Sequence, residues 1–456
     1  MASFVILAIF RNEFDIECIP KYNINEGGYY MIIKNGNVLL FKDNDVVIEK
    51  TDVKIKDGKI VKIDNNLELE DGEKVIDAKE KVVMPGLINT HTHIAMSIFR
   101  GTFEGCSLYT WLNEKIWPIE AKLTREDVYN ASMLSIAEMI STGTTCFNDH
   151  YFFAEETRKA VEETGMRAVL TRVLMDTDGD DAGQTRIDEF ERFYQTRDEN
   201  NDLITYTVSP HGLYTCSSKC LEKASSLARK YNLPVHVHFL ESIDEIDDIK
   251  KMHGVTGVDV LKRYFDGIHT ILAHGVKLND EDIEELKHMD IGIAHNPISN
   301  LRLGCKIADT TKYTKNNINV ALGTDGQGSG NNLDMFETLR TACLIQGGIH
   351  ENEDRLTSKD AIKMATINGA KLLKIDDKVG SIEEGKDADI ILVDMSQSLD
   401  NITKLPNNDI MSNLVYNTCG RDVDTTIVKG NILMEARRLK NINIEEIIEK
   451  IHKILN

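Results

Sequence analysis

The chain has 456 residues, 41% of them hydrophobic and 28% charged, a balance typical of a folded globular protein long enough for more than one domain. Its formal net charge of −21 argues against nucleic acid or an anionic membrane as a partner, because both are bound through concentrated basic surfaces. No stretch approaches the roughly twenty apolar residues of a membrane span, and the eight scattered cysteines form no C-x-x-C pair, so we expect a cytoplasmic protein in a reducing compartment.

The first segment, residues 1–30, differs in character from the rest of the chain. Its apolar start lacks the basic region and the cleavage site of a signal peptide. A clean strand-and-turn pattern begins only at Met31, which is followed by Ile32, Ile33 and the Asn35-Gly36 dipeptide. We therefore expect the natural chain to begin at Met31, with residues 1–30 as an extra segment. The alternative is an additional ordered strand.

Residues 31–84 alternate short apolar runs with the turn dipeptides Asn35-Gly36, Asp57-Gly58 and Asp71-Gly72, each of which is a hairpin signal. The C-terminal segment, residues 381–456, repeats this style and ends in isoleucines at helical spacing. We expect the two ends of the chain to complete one small β sheet, followed by an amphipathic C-terminal helix.

The middle of the chain, residues 85–380, is predicted to form a barrel. Eight strand candidates begin near Val82, Thr144, Arg167, Leu203, Leu233, Ile268, Ile291 and Ile318. Helical patterns separate most of them, for example at residues 127–140, 220–231 and 280–287. Alternating strands and helices predict a parallel sheet, and eight such units favour an α/β fold of the closed (β/α)₈ TIM-barrel type.

Five side chains of metal-binding type lie at or just past the ends of short apolar runs: His91, His93, His238, His274 and Asp325. The carboxyl ends of barrel strands open onto one face, so residues remote in sequence can meet there around one ion. Imidazoles with one carboxylate suit Zn²⁺, with Fe²⁺ or Mn²⁺ as alternatives, and leave a position for water. We predict one ion per chain, because the fourth strand carries no lysine that could bridge two.

A bound zinc lowers the pKa of its water to about 7, so this pattern predicts hydrolytic chemistry. Asp325 and His274 are placed to hold and deprotonate that water. Glu241 follows His238 by three residues and is predicted to be the general acid and base. The alternative for Glu241 is a helix-start carboxylate, since Asp244 and Glu245 lie beside it.

Several motifs carry a family resemblance: Pro85 to His93, Gly165 to Ala168, His236 to Glu241, Ala294 to Asn300 and Leu322 to Gly326. Together they resemble the amidohydrolase superfamily. Within it, the chain is similar to the 5′-methylthioadenosine/S-adenosylhomocysteine deaminases from about residue 31 to the end, including the stretch Ser381 to Asp389. The resemblance implies a barrel together with a β-sandwich domain built from residues 31–84 and 381–456.

The resemblance also implies roles for individual residues. The metal ligands are His91, His93, His238 and Asp325, while Glu241 and His274 transfer protons and orient water. For the nucleoside, it implies Trp111 near the base, Glu120 at the ribose hydroxyls and His211 at the ribose or a ring nitrogen. Plain packing is the alternative for Trp111, and a surface charge is the alternative for Glu120.

At the far end of the substrate, Arg172 matches an arginine that relatives place near the amino-acid tail. Where relatives carry a second arginine, this chain has Gln184, with Arg186 two positions later. Glutamine cannot replace a guanidinium as the partner of a carboxylate. We therefore expect S-adenosylhomocysteine to bind poorly, and 5′-methylthioadenosine, 5′-deoxyadenosine or adenosine to be preferred, unless Arg186 turns inward.

The resulting expectation is an aminohydrolase that acts on the C–N bond of a cyclic amidine. A metal-activated hydroxide attacks C6 of an adenine nucleoside, Glu241 shuttles the protons, and an inosine-type product and ammonia are released. Two alternatives keep the same metal site: a guanine deaminase, and a chlorohydrolase of another nitrogen heterocycle. A third is a catalytically silent scaffold. The expected partner is the small nucleoside, and pairing into a homo-oligomer is common for barrels of this kind.

Overall fold

The computed structural model describes residues 30–43, 45–396 and 409–454. The expectation about residues 1–30 therefore falls, except for Tyr30, outside the described residues. None of the described helices is long and apolar enough to cross a membrane.

The strands, in chain order, are β1 (Tyr30–Lys42), β2 (Asp45–Lys56), β3 (Lys59–Asp64), β4 (Lys74–Asp77), β5 (Lys81–Pro85), β6 (Leu87–Thr92), β7 (Thr144–Asp149), β8 (Arg167–Leu170), β9 (Ile204–Tyr206), β10 (Val235–Phe239), β11 (Thr270–His274), β12 (Ile291–His295), β13 (Asn319–Leu322), β14 (Ile390–Asp394), β15 (Val423–Val428), β16 (Asn431–Glu435) and β17 (Arg438–Leu439).

The helical segments are Ile94–Phe99, Leu108–Thr110, Trp111–Ile116, Trp117–Glu120, Arg125–Ser141, Ala154–Thr164, Asp180–Gln195, Ser218–Tyr231, Ile243–His253, Gly257–Phe265, Asp280–Leu286, Pro297–Arg302, Thr310–Lys315, Gln327–Gly330, Met335–His350, Glu353–Arg355, Ser358–Met364, Ile367–Leu372, Ile410–Tyr416, Gly420–Asp422 and Ile444–Ile454. The three predicted barrel helices and the C-terminal helix are all present. The first of them, Arg125–Ser141, begins at a capping box in which Thr124 and Asp127 satisfy each other's backbone N–H groups.

Strands from both ends of the chain form one sheet. Its order is β17-β16-β15-β14-β5-β1-β2-β3, and β4 pairs with β1. The junction is the antiparallel pair of β14 and β5, in which Ile391 lies opposite Met84. A separate cluster of buried apolar residues from both ends, including Ile33 and Leu392, packs at this sheet.

Eight parallel strands close into the predicted barrel. They form two four-stranded sheets, β6-β7-β8-β9 and β10-β11-β12-β13. Parallel bridges from Val208 to Val235 and from Gly212 to His238 join the sheets on one side. On the other side the Thr90 hydroxyl donates to the Leu322 carbonyl at 2.8 Å, and the Asp325 N–H donates to the His91 carbonyl at 3.0 Å.

The predicted start of the first barrel strand, near Val82, is wrong. Val82 lies in β5 of the composite sheet, and the barrel strand is β6, which begins at Leu87. Gly86 separates the two strands and lies so close to β7 that an added Cβ would stand 2.1 Å from the Thr145 hydroxyl. Because the chain passes between the sheets at a single glycine, without a turn, the two strands form one apolar run in the sequence.

A buried ion pair joins the barrel to the composite sheet. Arg167, at the start of β8, donates from Nε to Asp389 at 2.8 Å and from Nη2 to Asp387 at 2.9 Å. All three side chains are buried. Removing this cation leaves the buried Asp389 carboxylate without a cationic partner and leaves Asp387 with Lys59 alone.

We therefore expect Arg167→Met to lower the free energy of unfolding by about 3–5 kcal/mol, the usual result of breaking a buried pair from one side. Urea unfolding followed by circular dichroism measures the loss. The matched control is Arg125→Met, whose ion pairs with Glu155 and Glu156 are exposed and should contribute less than about 1 kcal/mol. Equal effects of the two substitutions would contradict this assignment.

Candidate active site

The five predicted metal-type side chains meet at the carboxyl end of the barrel. His91 belongs to β6 and His93 follows it, His238 lies in β10, His274 ends β11 and Asp325 follows β13. Three overlapping groups have ligand atoms that all lie within 4.8 Å of one another: His91, His238 and His274; His91, His93 and Asp325; Glu241, His274 and Asp325. The structure thus brings together residues that span more than half of the chain.

Distances within the cluster are close to those of a shared ion. The Nε2 atom of His93 lies 3.1 Å from Asp325 Oδ1 and 3.2 Å from His238 Nε2, and His91 Nε2 lies 3.5 Å from Asp325 Oδ1. Ligand atoms that share one tetrahedral zinc ion at about 2.1 Å lie roughly 3.4 Å from one another. His91 Nε2 is buried and has no hydrogen-bond partner among the described residues.

Backbone carbonyls orient two of the imidazoles. Nδ1 of His93 donates to the His150 carbonyl at 2.6 Å, and Nδ1 of His238 donates to the His211 carbonyl at 2.7 Å. A carbonyl only accepts, so the hydrogen of each neutral ring is on Nδ1 and the lone pair of Nε2 faces its neighbours. Two bare nitrogens that face each other with a carboxylate beside them fit a divalent cation.

Hydrogen bonds from neighbouring residues fix the orientation of the Asp325 carboxylate. Hydroxyls of Ser299 and Ser329 donate to Oδ2 at 2.6 and 2.8 Å, and the Gly326 N–H donates to Oδ1 at 2.9 Å. Burial opposes ionisation, but the adjacent imidazoles of His91 and His93, whose Nε2 atoms lie 3.5 and 3.1 Å from Oδ1, hold the pKa of Asp325 well below its ordinary value. Asp325 is therefore an anion whose Oδ1 faces the histidines. Such outer partners fix the orientation of a ligand.

Glu241 lies beside this cluster and is only 8% exposed. Burial raises its pKa well above the ordinary value, and the nearby charges of Asp325 and Glu245 raise it further. The helix that follows does not use Glu241 as its cap: Ser242 is the N-cap, and the Glu245 carboxylate accepts from the N–H groups of Leu240 and Glu241. Glu241 is thus a buried carboxylic acid that can hold a proton near neutral pH.

His274 is oriented by two carboxamides that sequence reasoning gave no role. Asn300 Nδ2 lies 2.9 Å and Asn296 Nδ2 3.3 Å from His274 Nδ1. Because amide N–H groups donate, Nδ1 accepts and the ring hydrogen is on Nε2. Burial lowers the pKa of His274 to about 3, so the ring is neutral. This geometry favours the water-orienting role, in which Nε2–H donates to an oxygen.

A cavity of about 470 Å³ opens above the cluster. Its lining includes eight residues with a predicted substrate or proton-transfer role: Trp111, Glu120, Arg172, Arg186, His211, Glu241, His274 and Asp325. Trp111 is buried, with one edge against Gly328, so packing and lining are both observed for it.

The predicted substrate residue Gln184 is the exception. Its amide donates to Asp188 at 2.6 Å and accepts from Lys223. Gln184 thus lies on the exposed side of the helix Asp180–Gln195 and does not line the cavity. Residues two apart on a helix point to nearly opposite sides, which places Arg186 inward instead. The prediction for Gln184 is therefore wrong.

The two arginines at the far end of the cavity both have carboxylate partners. Arg172 donates from Nε to Glu189 at 2.8 Å and to the Val173 carbonyl. Arg186 makes a two-point contact with Asp178 at 2.6 and 2.7 Å, and the Asp178 side chain is 53% exposed. This end therefore contains two cations and two anions.

His211 and Glu120 also line the cavity, and both present hydrogen-bond acceptors. The Thr215 hydroxyl donates to the Gly212 carbonyl, so it accepts from His211 Nδ1 at 3.0 Å and leaves the His211 Nε2 lone pair free. Burial lowers the pKa of His211 to about 3, which keeps the ring neutral. Glu120 Oε1 accepts from Tyr151 at 2.6 Å. Both groups are suited to hydroxyl donors.

Sequence reasoning missed several of these supporting residues, including Ser299, Ser329, Asn300 and Tyr151. The polar motif at residues 294–300 was a signal for the first and third, because a serine and two asparagines directly after a buried strand need partners. His236, in the same H-x-H pair as His238, contacts His91 Nδ1 at 2.9 Å. Nothing in the local sequence singles out Tyr151.

Comparison with known proteins gives a consistent result. The profile of the amidohydrolase family matches residues 82–433. The 5′-deoxyadenosine deaminase of Methanosphaera stadtmanae is 42% identical over 90% of this chain and 96% of its own length. The 5-methylthioadenosine/S-adenosylhomocysteine deaminase of Thermoanaerobacter pseudethanolicus is 39% identical over 93% of this chain and 98% of its own. A solved structure of a Xanthomonas campestris adenosine deaminase with bound zinc has 28% identity and a TM-score of 0.86, covering 94% of this chain and 98% of its own.

Proposed function

The chain belongs to the amidohydrolase family, and from this premise we propose that it is a metal-dependent hydrolase that deaminates adenine nucleosides to the inosine-type product and ammonia. The observation that carries the proposal is the position of Glu241, a buried acid beside the histidine and aspartate cluster at the floor of a nucleoside-sized cavity. The substrates include 5′-deoxyadenosine, 5′-methylthioadenosine, S-adenosylhomocysteine and adenosine.

The metal is held by His91, His93, His238 and Asp325, and we propose one ion per chain, with zinc as the first choice and iron or manganese as alternatives. The bare Nε2 atoms and the ionised Asp325 support this set. When bound, such an ion lowers the pKa of a coordinated water and so supplies a nucleophile at neutral pH.

Side chains of the protein then transfer the protons and orient the reacting groups. Glu241 holds a proton before the reaction and donates it to N1 of the adenine ring, which makes C6 a better electrophile. His274, with Nε2–H facing the cluster, orients the attacking oxygen, and the ionised Asp325 accepts a hydrogen bond from it. Glu241, now a carboxylate, then takes the proton of the oxygen newly bound to C6 and delivers it to the amino group, so that the C6–N bond breaks, a C6 carbonyl forms and ammonia leaves.

The walls of the cavity select a nucleoside over a free base. Glu120 and His211 both accept hydrogen bonds, and the ribose of an adenine nucleoside offers hydroxyl donors at its 2′ and 3′ positions. Free guanine and chlorinated triazines have no ribose diol for this pair of acceptors to bind. The proton-holding Glu241 argues against a silent scaffold.

The experiment that tests the proposal is a comparison of ammonia release from the four adenosines and guanine, together with chloride release from a chlorinated triazine, by metal-loaded protein. Turnover of the adenosines with the highest kcat/KM is the expected result. Turnover confined to guanine would leave the metal site in place and contradict the ribose pocket. Turnover confined to the triazine would contradict deamination.

The expectation that S-adenosylhomocysteine binds poorly loses its basis, because Arg186 lines the cavity and supplies the guanidinium that Gln184 lacks. We predict that the tail carboxylate of this substrate takes Arg186 from Asp178, whose side chain is 53% exposed and is solvated by water once the pair opens. Arg186→Ala should lower kcat/KM for S-adenosylhomocysteine by about 10-fold or more and leave that for 5′-deoxyadenosine within about 2-fold. The control is Arg192→Ala, on the same helix. Equal losses on both substrates would contradict the contact.

Beyond the site, we propose that the composite sheet is the core of a small β-sandwich domain of residues 31–84 and 381–456, and that residues 85–380 form the barrel domain. The separate apolar cluster at this sheet supports the division.

A cytoplasmic location is supported by the seven described cysteines, none of which forms a disulfide. We also expect a homo-oligomer, which light scattering would measure.

A further inference from the structure

The Glu120 carboxylate is joined to the barrel by one side chain, Tyr151. Tyr151 follows the end of β7, is 2% exposed, and donates from its hydroxyl to Glu120 Oε1 at 2.6 Å. Among the described residues no other hydrogen bond or ion pair is made by this carboxylate, and its second oxygen, Oε2, receives none. Because Glu120 lines the cavity, Oε2 is the atom left for a ligand.

The support is needed because Glu120 does not lie on a barrel strand. It ends the segment Trp117–Glu120, which directly follows the π-helical turn Trp111–Ile116. The position of its carboxylate is therefore not set by the barrel strands themselves. Tyr151 follows the barrel strand β7 by two residues, so the hydrogen bond from its hydroxyl ties the Glu120 carboxylate to the barrel.

We propose that Tyr151 is a positioning residue, which fixes the Glu120 carboxylate so that Oε2 accepts a hydrogen bond from the ribose diol, and thereby sets the preference for nucleosides that carry this diol. The proposal rests on the proposed function, because it takes the occupant of the cavity to be an adenine nucleoside.

The hydrogen bond also keeps Glu120 an acceptor. Burial raises the pKa of Glu120 to about 7, whereas the bond from Tyr151 favours the ionised form and opposes that rise. An ionised carboxylate accepts hydrogen bonds at both oxygens, while a protonated one donates from one of them. Tyr151 also lines the cavity, but its hydroxyl hydrogen is donated to Glu120, so its polar contribution to substrate binding passes through that carboxylate.

The test compares Tyr151→Phe with the wild-type protein on adenosine and on 2′,3′-dideoxyadenosine. We expect the substitution to raise KM for adenosine on the order of 10-fold, the effect of one lost hydrogen bond to a charged group, with kcat within about 2-fold. KM for the dideoxy substrate, which has no diol to position, should stay within about 2-fold of wild type.

A matched control is available elsewhere on the barrel. Tyr129 donates to Glu163 at 2.5 Å, so it forms a tyrosine–glutamate pair of the same kind, but this pair is exposed and lies outside the cavity. Tyr129→Phe should change neither KM. Glu120→Gln is the second variant: it should reproduce the selective rise in KM for adenosine, and adding Tyr151→Phe to it should have little further effect. This cycle also separates a positioning effect from a general effect on folding, because a folding defect of Tyr151→Phe would add to the effect of Glu120→Gln and would lower activity on both substrates.

Two kinds of failure are distinguishable. A wild-type protein that deaminates neither nucleoside contradicts the proposed function and this proposal with it. A wild-type protein that deaminates both, with a Tyr151→Phe variant whose KM for adenosine is unchanged or whose two substrates lose activity equally, contradicts the positioning role alone. Additive effects of the two substitutions in the cycle would also contradict it.

Discussion

Glu241→Gln is expected to lower kcat for adenine nucleosides by roughly 10³-fold, while the bound metal stays at the wild-type level. Glutamine has nearly the same shape and can still contact Asn300, which lies 3.4 Å from Glu241 Oε1. It cannot hold or deliver a proton. Since Glu241 is not one of the proposed metal ligands, its replacement tests proton transfer separately from metal binding.

The measurement is kcat by ammonia release together with elemental analysis of the same sample. Asp244→Asn is the matched control, because Asp244 is an exposed carboxylate three positions away, in the first turn of the helix Ile243–His253. A Glu241→Gln protein with activity within about 10-fold of wild type would show that the proton is carried by another group.

His93→Asn is expected to remove both metal and activity. His93 Nε2 lies within 3.2 Å of both Asp325 Oδ1 and His238 Nε2, at the centre of the proposed ligand set. Loss of a direct ligand should weaken metal binding by more than the roughly 10–100-fold that loss of an outer partner costs. Activity should fall in proportion to the metal content.

Chelator competition measures the metal affinity, and circular dichroism shows that the variant is folded. His350→Asn is a suitable control, because His350 Nε2 lies 2.9 Å from Asp309 Oδ1 and neither residue lines the cavity. If His93→Asn protein retains stoichiometric metal after dialysis, His93 is not a ligand.

The sequence predicted the metal-type cluster because the topology of a barrel is itself predictable. Once eight alternating strand and helix units are recognised, residues that end different strands must share one rim, so His91, His238 and Asp325 could be placed together without coordinates. Glu241 was predictable for the same reason, since it lies three residues beyond a strand-end histidine.

The sequence predictions failed where a position depends on contacts between residues that are far apart in the chain. The start of the first barrel strand was misplaced because β5 and β6 form one apolar run in the sequence, and the chain passes from one sheet to the other at Gly86. Gln184 was assigned to the cavity by counting from a motif, but the helix turns it to the surface and brings in Arg186. The Tyr151 contact depends on a helical segment thirty-one positions earlier in the chain, so no spacing rule predicts it.

The measurement that tests the central claim most directly is the reaction of metal-loaded protein with 5′-deoxyadenosine in water enriched in oxygen-18. The proposed chemistry predicts one labelled oxygen at C6 of the inosine-type product, with ammonia released in equal amount, and no reaction after the metal is removed. Absence of turnover by the fully metal-loaded protein, or a product without the label, would contradict hydrolytic deamination at this site.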